Sequence, residues 1–167
     1  MSAKREKKLE SEKIIRPKFM YVRTEGATPL VPLNERQGQY IDYIQHKKLT
    51  IATGFAGTSK TYIPTTIACD MWRRGEIKQI YLTRPNVSNS KSLGFFSGSV
   101  VEKMSNWLLP VLDIMNRRLG KSVVEIAIKS GDIAFIPLEV IKGMSFGADT
   151  FVICDEAEDL TIAEAKS

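Results

Sequence analysis

Residues Leu49–Thr61 read LTIATGFAGTSKT and decide the fold. The pattern predicts a short apolar strand, a glycine-containing loop and the first residues of a helix. Gly54, Gly57, Lys60 and Thr61 fall at the spacing of a phosphate-binding loop, in which small residues let backbone N–H groups approach a polyphosphate. A helix N-terminus behind the loop adds unpaired N–H groups and a favourable dipole.

Eight consecutive residues form the candidate nucleotide-binding loop: Gly54, Phe55, Ala56, Gly57, Thr58, Ser59, Lys60 and Thr61. We expect Lys60 to place a positive charge on the β- and γ-phosphates of ATP, and the hydroxyl of Thr61 to ligate Mg²⁺. Ser59 stands where such loops carry glycine, so its Cβ restricts the backbone. The simpler alternative is a glycine-rich turn that only joins a strand to a helix.

The composition is that of an ordinary globular protein. The 167 residues suit one domain, and 43% of them are hydrophobic and 26% charged, which excludes a disordered or membrane-embedded class. No apolar run approaches the roughly 18 residues needed to cross a bilayer. The charged stretch Met1–Arg16 lacks the apolar segment of a secretory signal. These features predict a cytoplasmic protein without a membrane partner.

A basic segment precedes the predicted domain. Residues Met1–Met20 carry seven basic and three acidic side chains, a net charge of +4, whereas the whole chain has a formal charge of +5. We therefore divide the chain into a basic arm over 1–20, expected to be flexible, and one domain over 21–167 that contains the candidate nucleotide-binding loop. Such an arm can attract RNA or DNA through counterion release, although short charged termini are commonly only solvated.

The two cysteines and the single histidine show no metal-site pattern. Cys69 falls in a predicted helix and Cys154 in a predicted buried strand, and neither belongs to a CxxC pair. We therefore expect free thiols in a reducing cytosol. His46 lies in the polar stretch QHKK, where a surface position is expected.

Helices are predicted on both sides of the loop. Upstream, Asn34 is a candidate N-cap for a helix of about three turns. On this helix Gln37 is a candidate reader of the adenine edge, because its amide offers an acceptor and a donor; the alternative is an exposed polar side chain. Downstream, a helix is predicted over Ser59–Arg74, with Gly75 as its C-terminal stop.

The run Ile80–Thr83 reads as a buried strand, so strand, helix and strand imply a parallel sheet. Arg84 follows at the carboxyl end of this strand, where ligands gather in such sheets. It could contact a nucleic-acid phosphate or be an ordinary loop arginine.

The second half of the chain combines helical and β-branched segments. A helix is predicted over Val100–Leu119, with Pro110 bending or splitting it. The runs Val123–Ile128 and Ile133–Ile136, separated by a turn containing glycine, predict a β-hairpin. Two phenylalanines in the loop over 92–99 could stack on bases or plug an edge of the core.

A last buried strand, Phe151–Cys154, ends in two adjacent carboxylates. Such a pair is costly next to an apolar strand unless a cation compensates. Asp155 is expected to hold Mg²⁺ through water opposite Thr61, and Glu156 to orient and deprotonate an attacking water. Glu158 and Asp159 are expected to face solvent.

Taken in order, these segments resemble the PhoH-like family of P-loop ATPases, in particular its phage-type members. The resemblance is carried by TIATGFAGTSKT, IYLTRPNV, SLGFFSG, EKMSNWLLPVLD, IAFIPLEVIKGMSF and TFVICDEAEDLT, and covers about Leu33–Thr161. It implies an α/β P-loop NTPase fold with a mainly parallel sheet flanked by helices, similar to the superfamily 1 helicase core.

The resemblance implies roles for individual residues. Gly54, Gly57, Lys60 and Thr61 become the Walker A loop, Asp155 and Glu156 the Walker B metal ligand and base, Gln37 the adenine reader, and Thr83, Arg84 and Pro85 part of a nucleic-acid path. ATP, Mg²⁺ and single-stranded RNA or DNA are the implied ligands, in the host cytoplasm if the protein is phage-encoded. No arginine finger is identifiable in the chain, and the ring-like oligomer that the family implies would be one source.

The sequence departs from the family pattern in three ways. Ser59 replaces a glycine, and Glu158-Asp159 stands where the family more often has Gln-Asn. The family also continues with a strand that lies between the Walker A and Walker B strands. We therefore expect a chain truncated at its C-terminus, in which those two strands have unpaired edges or meet directly.

Three functions are compatible with these features. The first is an ATPase acting on RNA, in which water attacks the γ-phosphate while Lys60 and Mg²⁺ neutralise charge. The second is a non-catalytic nucleotide- or nucleic-acid-binding fragment. The third is a small-molecule kinase, for which no acceptor pocket or arginine-rich lid is visible; the adjacent Asp155 and Glu156 favour water as the acceptor.

Overall fold

The computed structural model describes residues 28–85 and 105–160. The basic arm over 1–20 and the phenylalanine loop over 92–99 lie outside the described residues. In chain order, the elements are α1 (Glu35–His46), α2 (Tyr62–Arg74), β1 (Gln79–Thr83), α3 (Ser105–Leu119), α4 (Lys121–Ser130), β2 (Ile133–Phe135), α5 (Leu138–Ile141), β3 (Thr150–Cys154) and a 3₁₀ turn (Ala157–Asp159).

The three strands form one parallel sheet in the order β2-β1-β3. β1 is central, so Ile80 is paired with Ile133 on one side and with Phe151 on the other. Parallel strands require long crossovers, and the helices between β1, β2 and β3 supply them. The predicted α/β fold with a parallel sheet flanked by helices is therefore confirmed.

The core lies between the sheet and helices α2, α3 and α4. Ile80 and Leu82 of β1 are at most 1% exposed, and they belong to one cluster with Val111 and Met115 of α3. Burying such side chains contributes roughly 1.5–3 kcal/mol each. The core therefore holds β1 and the two strands beside it in place, which positions the residues at their carboxyl ends.

The predicted ends of the first two helices are largely confirmed. The Asn34 side chain caps α1 by accepting a hydrogen bond from the backbone N–H of Gln37 at 3.0 Å. Gly75 ends α2 with φ of 74°, a left-handed conformation that glycine adopts without steric cost. His46 is at the surface beside Asp42, as expected.

An ion-pair cluster joins α2 to α3. Arg118 donates to both carboxylate oxygens of Asp70, at 2.8 and 2.5 Å, and Arg73 lies 3.2 Å from the same carboxylate. Arg118 also donates to the backbone carbonyl of Thr28. The segment that precedes α1 is thereby attached to the helical layer, where it forms one wall of a cavity described below.

The predicted β-hairpin after Leu119 is wrong. Residues Lys121–Ser130 form helix α4, which ends at Gly131 with φ of 82°, and only Ile133–Phe135 is a strand, paired in parallel with β1. The β-branched residues of this run suggested a strand, but Val124 and Ala127, three positions apart, are the buried side chains. Tertiary packing of this helical face overrides a weak β propensity.

The observed helix α4 and the strand that was predicted for this run differ in the effect expected of two substitutions. In a strand, Val124 and Ile126 would point to the same side, whereas in a helix they point about 200° apart. Val124 is 1% exposed and Ile126 47% exposed. We expect Val124→Glu to destabilise the fold by more than about 3 kcal/mol, and Ile126→Glu by less than about 0.5 kcal/mol. Urea unfolding of both variants measures the difference, and equal losses would contradict the helix.

Two predictions about strands near the loop are also wrong. Residues 49–54 are not a strand in this structure, and Leu49 and Ile51 are 78% and 79% exposed. A strand requires a neighbour for its backbone groups, and none of the described strands lies beside this segment. β3 is consequently an edge strand, with Ile153 buried but Val152 and Cys154 exposed, rather than fully buried. Within the described residues, β3 pairs with β1 alone.

Within the part of the chain that the structure describes, we find no helix with the length and apolar character needed to span a bilayer.

Candidate functional site

The glycine-containing segment forms an exposed loop before α2. Gly57 and Ser59 both have positive φ, 77° and 68°, so the backbone reverses sharply between Phe55 and Lys60. The Thr58 hydroxyl closes the turn by donating to the carbonyl of Phe55 at 2.8 Å. The loop runs directly into α2, because the N–H of Ile63 already donates to the carbonyl of Ser59 at 3.1 Å. The predicted loop and helix start are therefore present, without the strand.

Ser59 has an unfavourable backbone conformation, with φ of 68°, at the position where a glycine was expected. A left-handed backbone costs a residue with a Cβ roughly 1–2 kcal/mol, partly offset by the greater freedom of glycine in the unfolded chain. We expect Ser59→Gly to stabilise the fold by about 0.5–1 kcal/mol, measured as a raised thermal midpoint. Ser59→Ala keeps the Cβ and removes the hydroxyl, so it serves as the control. Equal stabilisation by both variants would mean that strain is not the cause.

Lys60 is folded over the loop. Its ammonium group donates to the backbone carbonyls of Gly54 at 2.7 Å and Phe55 at 3.0 Å. These two bonds hold the positive charge at the mouth of the loop, next to the N-terminus of α2. An anion at this position would meet the ammonium and the helix dipole together.

Thr61 and Asp155 meet across the site although they are 94 residues apart. The Thr61 hydroxyl donates to Asp155 Oδ1 at 2.7 Å. The N–H of Asp155 donates to the carbonyl of Thr83 at 3.0 Å, which extends the β1–β3 pairing and fixes the carboxylate at the strand end. A hydroxyl and a carboxylate are oxygen ligands that suit Mg²⁺.

The donor set fits Mg²⁺ bound together with a phosphate. The described residues contain no group of three or more His, Cys, Asp or Glu side chains that could hold a metal ion by themselves. Mg²⁺ is commonly bound by one or two protein oxygens, with substrate phosphates and water completing the shell. Thr61 and Asp155 would hold it beside Lys60.

Glu156 follows directly after Asp155 in a left-handed conformation with φ of 52°. A hydrogen bond with Glu158 raises the pKa of Glu156, and slight desolvation and the negative charges of Glu158 and Asp155 act in the same direction. The pKa of Glu158 is lowered by a backbone hydrogen bond and by the same contact with Glu156. Glu156 and Glu158 are therefore linked by one hydrogen bond directly after Asp155.

Gln37 faces a cavity beside the loop. The cavity has a volume of about 550 Å³, and Gln37, Ser59 and Tyr62 line it together with Thr28 and Arg118. The side-chain oxygen of Gln37 accepts a hydrogen bond from the backbone N–H of Leu33 at 2.9 Å, which fixes the amide. Gln37 and the loop are therefore brought to one place, as a base-reading role would require.

The comparison with known proteins identifies the family. A family model described as PhoH-like protein matches residues 29–167. The chain belongs to the PhoH family. It is 33% identical over 145 residues to Protein PhoH of Escherichia coli K12, covering 86% of this chain and 41% of that protein. It is 36% identical over 130 residues to a PhoH-like protein of Bacillus subtilis, covering 78% of this chain and 40% of that protein.

A PhoH-like protein of Synechocystis is 33% identical over 131 residues, covering 78% of this chain and 40% of that protein. The chain thus spans about two fifths of the length of these PhoH relatives.

The three residues predicted on a nucleic-acid path differ in accessibility in this PhoH-family chain. Thr83 is 2% exposed and Pro85 is buried. Arg84 is partly exposed and lies 4.0 Å from the carboxylate of Asp159. Of the three side chains, Arg84 is therefore the one that a nucleic acid could reach. Its contact with a nucleic acid stays a prediction.

Two tyrosines near the candidate nucleotide-binding loop were not identified as site residues from the sequence. Tyr62 is 48% exposed and lines the cavity that Gln37 faces. Tyr40 of α1 donates its hydroxyl to the carbonyl of Lys60 at 3.0 Å, and burial and the charge of Asp155 raise its pKa. Tyr62 follows the phosphate-loop motif directly in the sequence, so its position could have identified it. Tyr40 lies 20 residues before Lys60, and no local pattern connects it to the loop.

Proposed function

We propose that this PhoH-family chain binds ATP with Mg²⁺ and hydrolyses it. The observation that carries the proposal is the hydrogen bond between Thr61 and Asp155, which brings the residue that follows Lys60 to the carboxyl end of β3. A P-loop site needs the Lys60 ammonium, the Thr61 hydroxyl and the Asp155 carboxylate in one place, and Asp155 lies 94 residues beyond Thr61 in the sequence.

In the proposed complex, the loop residues Gly54–Thr61 surround the phosphates with backbone N–H groups, and Lys60 neutralises charge on the β- and γ-phosphates. Thr61 and Asp155 would hold Mg²⁺, which would supply electrostatic stabilisation of the transferring phosphoryl group. The adenine ring of ATP lies in the cavity. There the Gln37 amide contacts the edge of the adenine, and the exposed ring of Tyr62 packs against its face.

Glu156 is the proposed general base. It would accept a proton from the water that attacks the γ-phosphate in line with the leaving oxygen. Its position directly after the proposed metal ligand Asp155 favours this role.

We propose single-stranded RNA or DNA as the partner that hydrolysis serves. The partly exposed Arg84 at the carboxyl end of β1 and the predicted basic arm are the groups that would contact its phosphates. A ring of subunits would give each site access to an arginine from its neighbour. The test is phosphate release with Mg²⁺ and ATP, with and without single-stranded RNA; release that needs Mg²⁺ and rises with RNA supports the proposal.

The second candidate is a nucleotide-binding module without turnover. Within the described residues, one edge of β3 is unpaired and the segment before the loop is exposed; both favour this candidate, because catalysis needs reacting groups held in a fixed geometry. ATP binding without phosphate release would support this candidate.

A further inference from the structure

The first turn of α2 has a backbone acceptor that the helix cannot satisfy. In an α-helix, the carbonyl of Lys60 would accept from the N–H four residues later, but that residue is Pro64, which has none. The bonds on either side are in place: Ile63 donates to Ser59 at 3.1 Å and Thr65 donates to Thr61 at 3.3 Å. Only the donor at position 64 is missing from this turn.

The Tyr40 hydroxyl takes the role of the missing N–H donor. It donates to the Lys60 carbonyl at 3.0 Å from α1, 20 residues upstream. An unpaired, partly buried carbonyl is costly, so this bond satisfies the acceptor that proline leaves open. The raised pKa of Tyr40 keeps the hydroxyl protonated, and therefore a donor, across the ordinary pH range.

The same bond joins α1 to the nucleotide loop. α1 contains no fully buried residue, so apolar packing holds it weakly, and a specific hydrogen bond has a larger share in fixing its position. Gln37 lies one helical turn before Tyr40 on α1 and faces the cavity beside Ser59 and Tyr62. We propose that Tyr40 is a positioning residue of the site: its hydroxyl replaces the N–H missing at Pro64 and holds α1, with Gln37, against the phosphate-binding loop.

The inference rests on the proposed function, and a double-mutant cycle separates its two parts. Tyr40→Phe removes the hydroxyl, and Pro64→Ala restores an N–H that can satisfy Lys60 without α1. We expect Tyr40→Phe to raise the unfolding equilibrium constant about tenfold. In the Pro64→Ala background the same change should have less than about a threefold effect. Tyr43→Phe, on the same helix and 48% exposed, should leave stability unchanged.

ATP affinity is expected to behave differently in this cycle. Tyr40→Phe should weaken ATP binding about fivefold, measured by calorimetry, and the loss should persist in the Pro64→Ala background, because the new N–H does not reattach α1. Unchanged affinity in Tyr40→Phe, or affinity restored together with stability, would overturn the positioning role. Wild-type protein that binds no ATP would instead contradict the proposed function, and the stability cycle, which needs no nucleotide, would still decide whether the hydroxyl replaces the missing donor.

Discussion

Replacing Lys60 by alanine should abolish ATP binding, with an affinity loss of at least about a hundredfold. The ammonium is held over the loop by the carbonyls of Gly54 and Phe55, where it is the cation nearest to the proposed phosphates. Its removal leaves backbone N–H groups and the helix dipole, which are weaker partners for a triphosphate than a full charge. Calorimetric titration with Mg²⁺ and ATP measures the loss.

A matched variant controls for net charge. Lys121→Ala removes the same charge from an exposed position at the start of α4, so it should bind ATP as the wild type does. Near-ultraviolet circular dichroism should be unchanged in both variants. Equal ATP affinity in Lys60→Ala and the wild type would refute the assignment of the loop as a nucleotide site.

Replacing Glu156 by glutamine should reduce turnover by about 10²–10⁴-fold while ATP affinity stays within about threefold of the wild type. Glutamine keeps the size of the side chain and its tolerance for the left-handed backbone seen at this position, but it cannot take a proton from water. A loss confined to turnover is the signature of a group that acts in the chemical step.

The control is Glu125→Gln, on the exposed face of α4, which should leave both quantities unchanged. Single-turnover phosphate release with saturating Mg²⁺ and ATP separates chemistry from product release. Turnover that is equal in Glu156→Gln and the wild type would exclude Glu156 as the base. Binding without turnover in every variant, the wild type included, would favour the nucleotide-binding module.

The juxtaposition of Thr61 and Asp155 could be predicted from the sequence because each residue belongs to a local pattern with a known place in a parallel sheet. Thr61 follows a glycine-containing loop at a helix start, and Asp155 follows an apolar strand. The two residues meet in the structure although residues 49–54 before the loop are not a strand, so the loop and the helix start are enough to place Thr61 at the carboxyl end of β3.

Other features depend on partners that no local pattern reveals. The run around Val124 is rich in β-branched residues, and only packing on the core makes it a helix. The apolar run at Leu49–Ile51 looks like a strand, yet strand formation requires a neighbouring backbone. The hydrogen bond from Tyr40 joins a side chain to the backbone carbonyl of Lys60, 20 residues away. The reason for this bond is clear only from the structure, because Pro64 has no N–H to donate to that carbonyl.

Among the strands that the structure describes, β3 has one unpaired edge, and this edge affects how the assembly of the protein has to be measured. Its outward backbone groups and the exposed Val152 side chain can pair with the same edge of another molecule. Concentrated samples would then contain adventitious oligomers alongside any ring. Molecular mass should accordingly be followed across a dilution series and with nucleotide present, since strand-to-strand adhesion fades on dilution whereas a ring closed around the ATP sites should respond to the nucleotide.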